Sequence, residues 1–159
     1  MESFHLESIA DHLDLVPTVA GWHWTEWGHT DPEGSLAKWT DGLGKRICRG
    51  GIPTTYVALA DTSPVGSVTL VDHDMVIHLD LSPWLAGLYV LPQHRGKGVG
   101  SALVACAEKH ALAMHLPRLY LYTARAERLY QRLGWVTIAH DRYQSQDVCV
   151  MVKDLAVDH

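Results

Sequence analysis

Apolar positions along this chain fall into alternating blocks of helical and strand period. From Asp14 to Trp27 they recur at helical spacing (Leu15, Val19, Trp22), with Pro17 tolerable in a first turn. Asp31-Pro32 reads as a second helix start, with Asp31 as N-cap and Pro32 at the first helical position. That helix is expected to pass Trp39 and Leu43 and end near Arg49, before Gly50-Gly51; Gly42 and Gly44 weaken its middle. Phe4 to Glu7 reads as a short first strand. Thr54–Ala60 and Val65–Val71 read as a hairpin joined by Asp61-Thr62-Ser63-Pro64, and His73 to Ser82 as a segment containing a loop. Trp84 to Leu91 is apolar on both faces, as a central strand is, and Pro92 stops it. Val99 to Met114 carries apolar residues at 99, 103, 106, 107 and 114, the pattern of an amphipathic helix. Leu119–Thr123 reads as a strand, Ala124–Leu133 as a short helix closed by Gly134, and Trp135–Ala139 and Val148–Val152 as the last two strands.

The predicted order is β-α-α-β-β-β-α-β-α-β-β. The strand–helix–strand run at 84–123 implies a parallel pair with a right-handed crossover. The hairpins imply antiparallel pairing elsewhere. The fold class is therefore α/β, a mixed sheet of about seven mostly antiparallel strands with a parallel central pair, flanked by four helices. No repeat, linker or Ser/Gly/Pro-rich spacer divides the chain, so residues 1–159 read as a single domain.

Composition narrows the classes. With 47% apolar and 19% charged residues among 159, the chain has the material for one packed core and is not disordered. No apolar run is long enough to span a membrane, and Met1 to Ile9, with Glu2, His5 and Glu7, lacks the basic region of a signal peptide. Cys48, Cys106 and Cys149 are scattered, which argues for free thiols in a reducing compartment, the cytoplasm. Net charge is −5 but uneven. Residues 1–92 hold twelve Asp/Glu against four Lys/Arg, whereas 93–132 hold seven Lys/Arg against two Asp/Glu. Such an island fits a local anionic ligand rather than nucleic acid, which wants a basic domain or a long basic stripe. Solvated arginines on helix faces explain the charge alone equally well.

The anion has a seat. Gln93-His94-Arg95-Gly96-Lys97-Gly98-Val99-Gly100-Ser101 lies between a buried strand and a helix. Alternate glycines let a ligand approach the backbone, and the first helical turn leaves amide N–H groups unpaired at the positive end of the dipole. Such an end binds phosphate. Arg95 and Lys97 add mobile positive charge. A Walker A loop is absent, and the spacing is not that of a dinucleotide-binding G-x-G-x-x-G turn.

The run from Gln93 to Gly98 resembles the Q/R-x-x-G-x-G/A signature of the GCN5-related N-acetyltransferase (GNAT) superfamily. Ala126 to Trp135, A-E-R-L-Y-Q-R-L-G-W, is similar to that superfamily's A-x-x-x-Y-x-x-x-G-F segment. The resemblance is specific over 84–139, follows element order over nearly the whole chain, and matches 1–50 only in outline. It implies acetyl-CoA as co-substrate. The backbone of Leu88, Tyr89 and Val90 would hold the pantetheine arm. The turn amides of Arg95, Gly96, Lys97, Gly98, Val99 and Gly100, with Ser101, would hold the pyrophosphate. Tyr130 falls on the family's tyrosine, a general acid for the leaving thiolate or an anchor for its sulfur. Thr123 stands where many members carry a cofactor-contacting Asn, with one hydroxyl in place of an amide. The N–H of Leu88 or Val90 would face the developing oxyanion. Arg125, Arg128 and Arg132 read first as solvated helix charges, with the adenosine end as the alternative role.

The acceptor side is thinner. Glu26, Asp72, Asp74, Asp80, His73 and His78 are candidate bases for the attacking amine, and no spacing singles one out. Trp22, Trp24 and Trp27, with His23 and His29, crowd one segment; Trp22 reads as core, while Trp24 and Trp27 are candidates for an acceptor pocket beside Glu26 and Asp74. The acidic front half suits a cationic amine. No histidine or cysteine spacing has metal-site form, so no metal is expected, and Cys106 reads as packing. The leading reading is an N-acetyltransferase acting on a small-molecule or peptide amine, with no nucleic-acid or membrane partner and homodimerisation open. The alternative keeps the fold without chemistry, as an acyl-CoA-binding sensor.

Overall fold

A computed structural model describes residues 3–155, so Met1 and Glu2 of the N-terminal reading, and the last four residues of the single-domain span, lie outside the described residues. Seven strands form one sheet in the order β1-β2-β3-β4-β5-β7-β6. They are β1 His5–Ser8, β2 Thr54–Ala60, β3 Ser63–Val71, β4 Trp84–Val90, β5 Arg118–Thr123, β6 Val136–Tyr143 and β7 Gln146–Asp154. The helices are α1 Val16–Trp27, α2 Leu36–Gly44, α3 Val99–Ala113 and α4 Glu127–Arg132. Every strand pairing is antiparallel except β4 with β5. The mixed seven-stranded sheet with four helices is the expected one.

Helices cover both faces because β2 and β3 bury side chains on both. Ala58, Val68 and Leu70 of that sheet pack with Leu103, Val104 and Ala107 of α3. On the opposite face Val57 and Leu59 pack with Val16, Val19 and Ala20 of α1 and Leu43 of α2. A third cluster, Val71, Met75, Trp84, Tyr143, Val148 and Val150, closes the other half where no helix lies.

Several expectations shift. The second helix begins at Leu36, not at Asp31-Pro32, because Ser35 accepts the Lys38 N–H at 3.1 Å and makes the cap. Asp31 is engaged elsewhere: its carboxylate accepts the Trp39 indole N–H at 2.8 Å. The same helix ends at Gly44, where two glycines have already weakened it. The first hairpin is tighter than read, since Ser63 and Pro64 already belong to β3, with Pro64 opposite Leu59 where β3 has no β4 partner. β4 is fully buried only at Trp84 and Leu85; from Ala86 to Val90 it is half-exposed. That last difference makes the site.

Candidate active site

β4 and β5 start together and then part. Their one register pair is Trp84 with Tyr120, helped by the Tyr120 N–H donating to Pro83 C=O at 3.0 Å. Beyond it the carboxyl ends of the two parallel strands diverge, as ligand crevices in α/β sheets do. A cavity of about 1000 Å³ fills the gap, lined by Leu85 to Val90 on one side and Leu121 to Thr123 on the other. The β4 edge facing it has no strand partner past Trp84, so apart from Val90 C=O, which accepts from Arg95 Nε, it is open to an extended ligand.

A bulge shapes this edge. Between Ser67 and Thr69 of β3, three steps of β4 answer two, since Ser67 faces Tyr89 and Thr69 faces Ala86. Gly87 carries the kink at φ +60°. A side chain there would be strained in the left-handed region and would come within 3.2 Å of the His23 ring. The bulge is tied from behind. Ser67 Oγ donates to Gly87 C=O at 3.1 Å and accepts from His23 Nε2 at 2.9 Å, which places the His23 proton on Nε2. Burial, with Arg46 nearby, depresses the His23 pKa to about 4 against the opposing hydrogen bond to Gly87. The imidazole is therefore neutral at pH 7. Sequence reading missed this role, because a lone buried histidine has no spacing signature.

At one end of the cavity lies the glycine turn. Gly96 and Gly98 have φ of +75° and +86°, and Gly98 is the residue before α3. The first helical bond runs from Ala102 N–H to Gly98 C=O, so the N–H groups of Val99, Gly100 and Ser101 have no acceptor within the helix. Arg95, Gly96, Gly98, Gly100 and Ser101 line the cavity, whereas Lys97 and Val99 do not. Val99 buries its side chain in the core and Lys97 stands exposed. Arg95 is engaged with β4: its Nε donates to Val90 C=O at 2.9 Å, and its guanidinium lies 5.6 Å from the Tyr89 ring centroid.

On the β5 side, Thr123 and Tyr130 line the cavity. Thr123 Oγ1 accepts the Ala126 N–H at 3.0 Å and the Arg125 N–H at 3.4 Å. Its oxygen thus starts the α4 turn, and only its O–H proton is left to offer a ligand. Tyr130 is 6% exposed, with its ring edge-on to Trp135 at 6.0 Å. Burial raises its phenol pKa well above the ordinary value, so the hydroxyl keeps its proton at every working pH.

The far end collects Glu26, Trp27 and Trp39 from α1 and α2, and Asp74 from the β3–β4 loop. Trp24 stays out of the lining; its ring packs edge-on to Trp39 at 5.7 Å and close against Gly28. Trp22 packs on the second core and stacks on Tyr89 at 5.6 Å, and Trp27 meets the same tyrosine edge-on at 6.2 Å. Asp74 is the titratable group that stands out. Burial raises its carboxyl pKa to about 6, against the opposing pull of Arg46. Among the other candidate bases, Glu26 lines the cavity while Asp72, His73, His78 and Asp80 do not; His78 is bound to Asp141 at 2.7 Å. Arg125 and Arg132 also line the cavity, and Arg128 does not.

No helix among the described residues is long and apolar enough to cross a membrane. The three cysteines are unpaired with one another.

Residues 16–135 match the family model described as the acetyltransferase (GNAT) family. No curated protein sequence is significantly similar to this chain. Among solved structures, an aminoglycoside 6'-N-acetyltransferase complexed with coenzyme A superposes with TM-score 0.76 at 12% identity, covering 98% of this chain and 99% of that one. A GNAT-family acetyltransferase from Streptococcus pneumoniae superposes with TM-score 0.69 at 18% identity, covering 97% and 100%. Mutant forms of a spermidine/spermine N-acetyltransferase from Vibrio cholerae give TM-score 0.69 at 20% identity, covering 96% and 95%.

Proposed function

From the premise that this chain belongs to the acetyltransferase (GNAT) family, we propose that it transfers the acetyl group of acetyl-CoA to a primary amine on a cationic small molecule or peptide. The observation that carries this reading is the single cavity joining the α3 N-terminus, the free β4 edge and Tyr130. Three requirements of the reaction meet there: an anion seat, a rail for an extended arm, and a protonated phenol.

The amides of Gly100 and Ser101, which line the cavity, hold the pyrophosphate, where the helix dipole favours negative charge. The peptide groups of Leu88 to Val90 align the pantetheine as an added strand would. Arg95 serves by fixing Val90 C=O and Tyr89. Asp74 draws the ammonium in as a carboxylate and, directly or through water, takes the proton that frees the amine lone pair; a pKa near 6 suits a base at neutral pH. A β4 N–H beside the Gly87 bulge stabilises the oxyanion as the amine attacks the thioester carbon. Tyr130 gives its proton to the departing thiolate. Glu26, Trp27 and Trp39 surround the cation, two by ring faces and one by charge. The protein works as one domain in the cytoplasm.

The test is thiol release from acetyl-CoA across a panel of polyamines, aminoglycosides, simple alkylamines and peptides, beside thermal shifts with acetyl-CoA, ATP and NAD. Amine-dependent release, with a shift given by acetyl-CoA alone, is expected. A shift without release from any amine would support an acyl-CoA sensor, and equal shifts with ATP would remove the coenzyme assignment.

A further inference from the structure

Away from the cavity, three side chains of metal-ligating type converge although they are far apart in sequence. Glu127 opens α4, His140 lies on β6 and Cys149 on β7, and one ligand atom from each lies within 4.8 Å of the others. His140 and Cys149 are direct cross-strand partners, so they project on one face. Cys149 Sγ stands 3.6 Å from His140 Nδ1. Zinc bonds of about 2.3 Å to sulfur and about 2.0–2.1 Å to nitrogen at a tetrahedral angle require a separation of about 3.6 Å. The pair is already set at the edge length of a zinc tetrahedron.

The carboxylate is oriented as a ligand's would be. Thr137 Oγ1 donates to Glu127 Oε2 at 2.5 Å, holding one oxygen and fixing the group. A bulge makes this possible. The β6–β7 register shifts between Thr137 and Ala139, with Thr137 opposite Met151 and His140 opposite Cys149. In an unbroken strand Thr137 and His140 would face opposite sides, because side chains alternate with period two. The extra residue, Ile138, turns both toward α4. β6 is the outermost strand and His140 is exposed, so an ion reaches the site from solvent.

We propose that Glu127, His140 and Cys149 form a binding site for a zinc-class divalent cation, with water as the fourth ligand. The ligand set, one thiolate, one imidazole and one carboxylate, suits a borderline-soft ion and not calcium or magnesium. On binding, the Cys149 S–H bond breaks, the thiolate sulfur coordinates the ion, and the proton leaves to solvent. Glu127 lies one helical turn before Tyr130, so the ion would pin the start of α4 to β6 and β7. This inference is independent of the acetyl-transfer reading.

The test uses the full chain, reduced and stripped by a chelator, titrated with cobalt(II) and then zinc. One equivalent of cobalt is expected to give a thiolate-to-metal charge-transfer band with the visible bands of tetrahedral cobalt, and zinc should bleach both. Cys149→Ser and His140→Ala should lose the bands, while Cys48→Ser and Cys106→Ser keep them. Thr137→Val should keep the bands and weaken affinity by about 10- to 100-fold. His140 is exposed, so its variant tests the site without disturbing the core. No charge-transfer band in the parent chain, or one that survives Cys149→Ser, overturns the proposal. Zinc affinity unchanged in His140→Ala does so too, since the remaining histidines would then be binding it adventitiously.

Discussion

Trp84 and Tyr120 are the point at which β4 and β5 part. They are the one register pair between the two strands, and the same two rings lie 5.7 Å apart. Trp84 is fully buried and its indole N–H donates to Leu81 C=O at 2.7 Å, so this end of the strand pair is anchored in the core. A parallel strand pair that continued would have paired the backbone of Leu88 and Val90 and closed the cavity. The parting leaves that edge without a strand partner, with Val90 C=O taken by Arg95, while the buried ends keep the sheet intact.

Gly98→Ala should separate binding from folding. A Cβ at Gly98 meets no protein atom within 4 Å, so the fold loses only the cost of a left-handed alanine, roughly 1–2 kcal/mol. The same methyl intrudes where the pyrophosphate approaches the backbone. Calorimetric affinity for coenzyme A should fall more than tenfold while the folded spectrum is kept.

Tyr130→Phe removes only the phenolic hydroxyl, the proposed proton donor. Turnover should fall by about 100-fold or more, with KM for acetyl-CoA nearly unchanged. Because burial holds the phenol protonated, the parent's activity should show no fall from Tyr130 ionisation between pH 6 and pH 9. A large KM change with constant kcat would make Tyr130 an anchor instead.

Asp74→Asn should lower kcat/KM at pH 7.5 by about 100-fold or more and abolish the acidic limb of its pH profile, which in the parent should have its midpoint near 6. A limb that persists in the variant would move the base to another residue.

Stability gives a separate check on Asp74 and on His23. The folded pKa of Asp74, about 6, lies above its ordinary value of 3.8, so its contribution is greatest at low pH and is lost as pH rises through 6. His23, at about 4 against 6.5, does the opposite: its contribution is present above 6.5 and is lost as pH falls toward 4. The two slopes oppose each other between pH 4 and pH 6. Asp74→Asn removes one of them, so its Tm should climb more steeply with pH over that window than the parent's, as calorimetric scans at successive pH values would show.

Local chemistry explains why some of this was legible in the chain. The Thr54–Ala60 strand and the α3 start at Val99 follow from residue type and period alone. The glycine turn reads as an anion seat because helix ends always leave amides unpaired. Asp31 misled because Asp and Ser are comparable caps, and the Trp39 indole took one while the other was left for the helix. Trp24 and Trp27 could not be told apart by spacing; only the packing of α1 on α2 put one against Trp39 and the other in the cavity.

Residue pattern by itself determined the elements, their order, the parallel pair and the glycine turn before α3, since each depends on neighbours a few positions away. Tertiary structure decided how far β4 and β5 diverge, which carboxylate is desolvated, that His23 is neutral behind the Gly87 bulge, and that Glu127, His140 and Cys149 meet. Those outcomes depend on burial and on distances between segments remote in sequence, and neither quantity exists until the sheet has closed around its core.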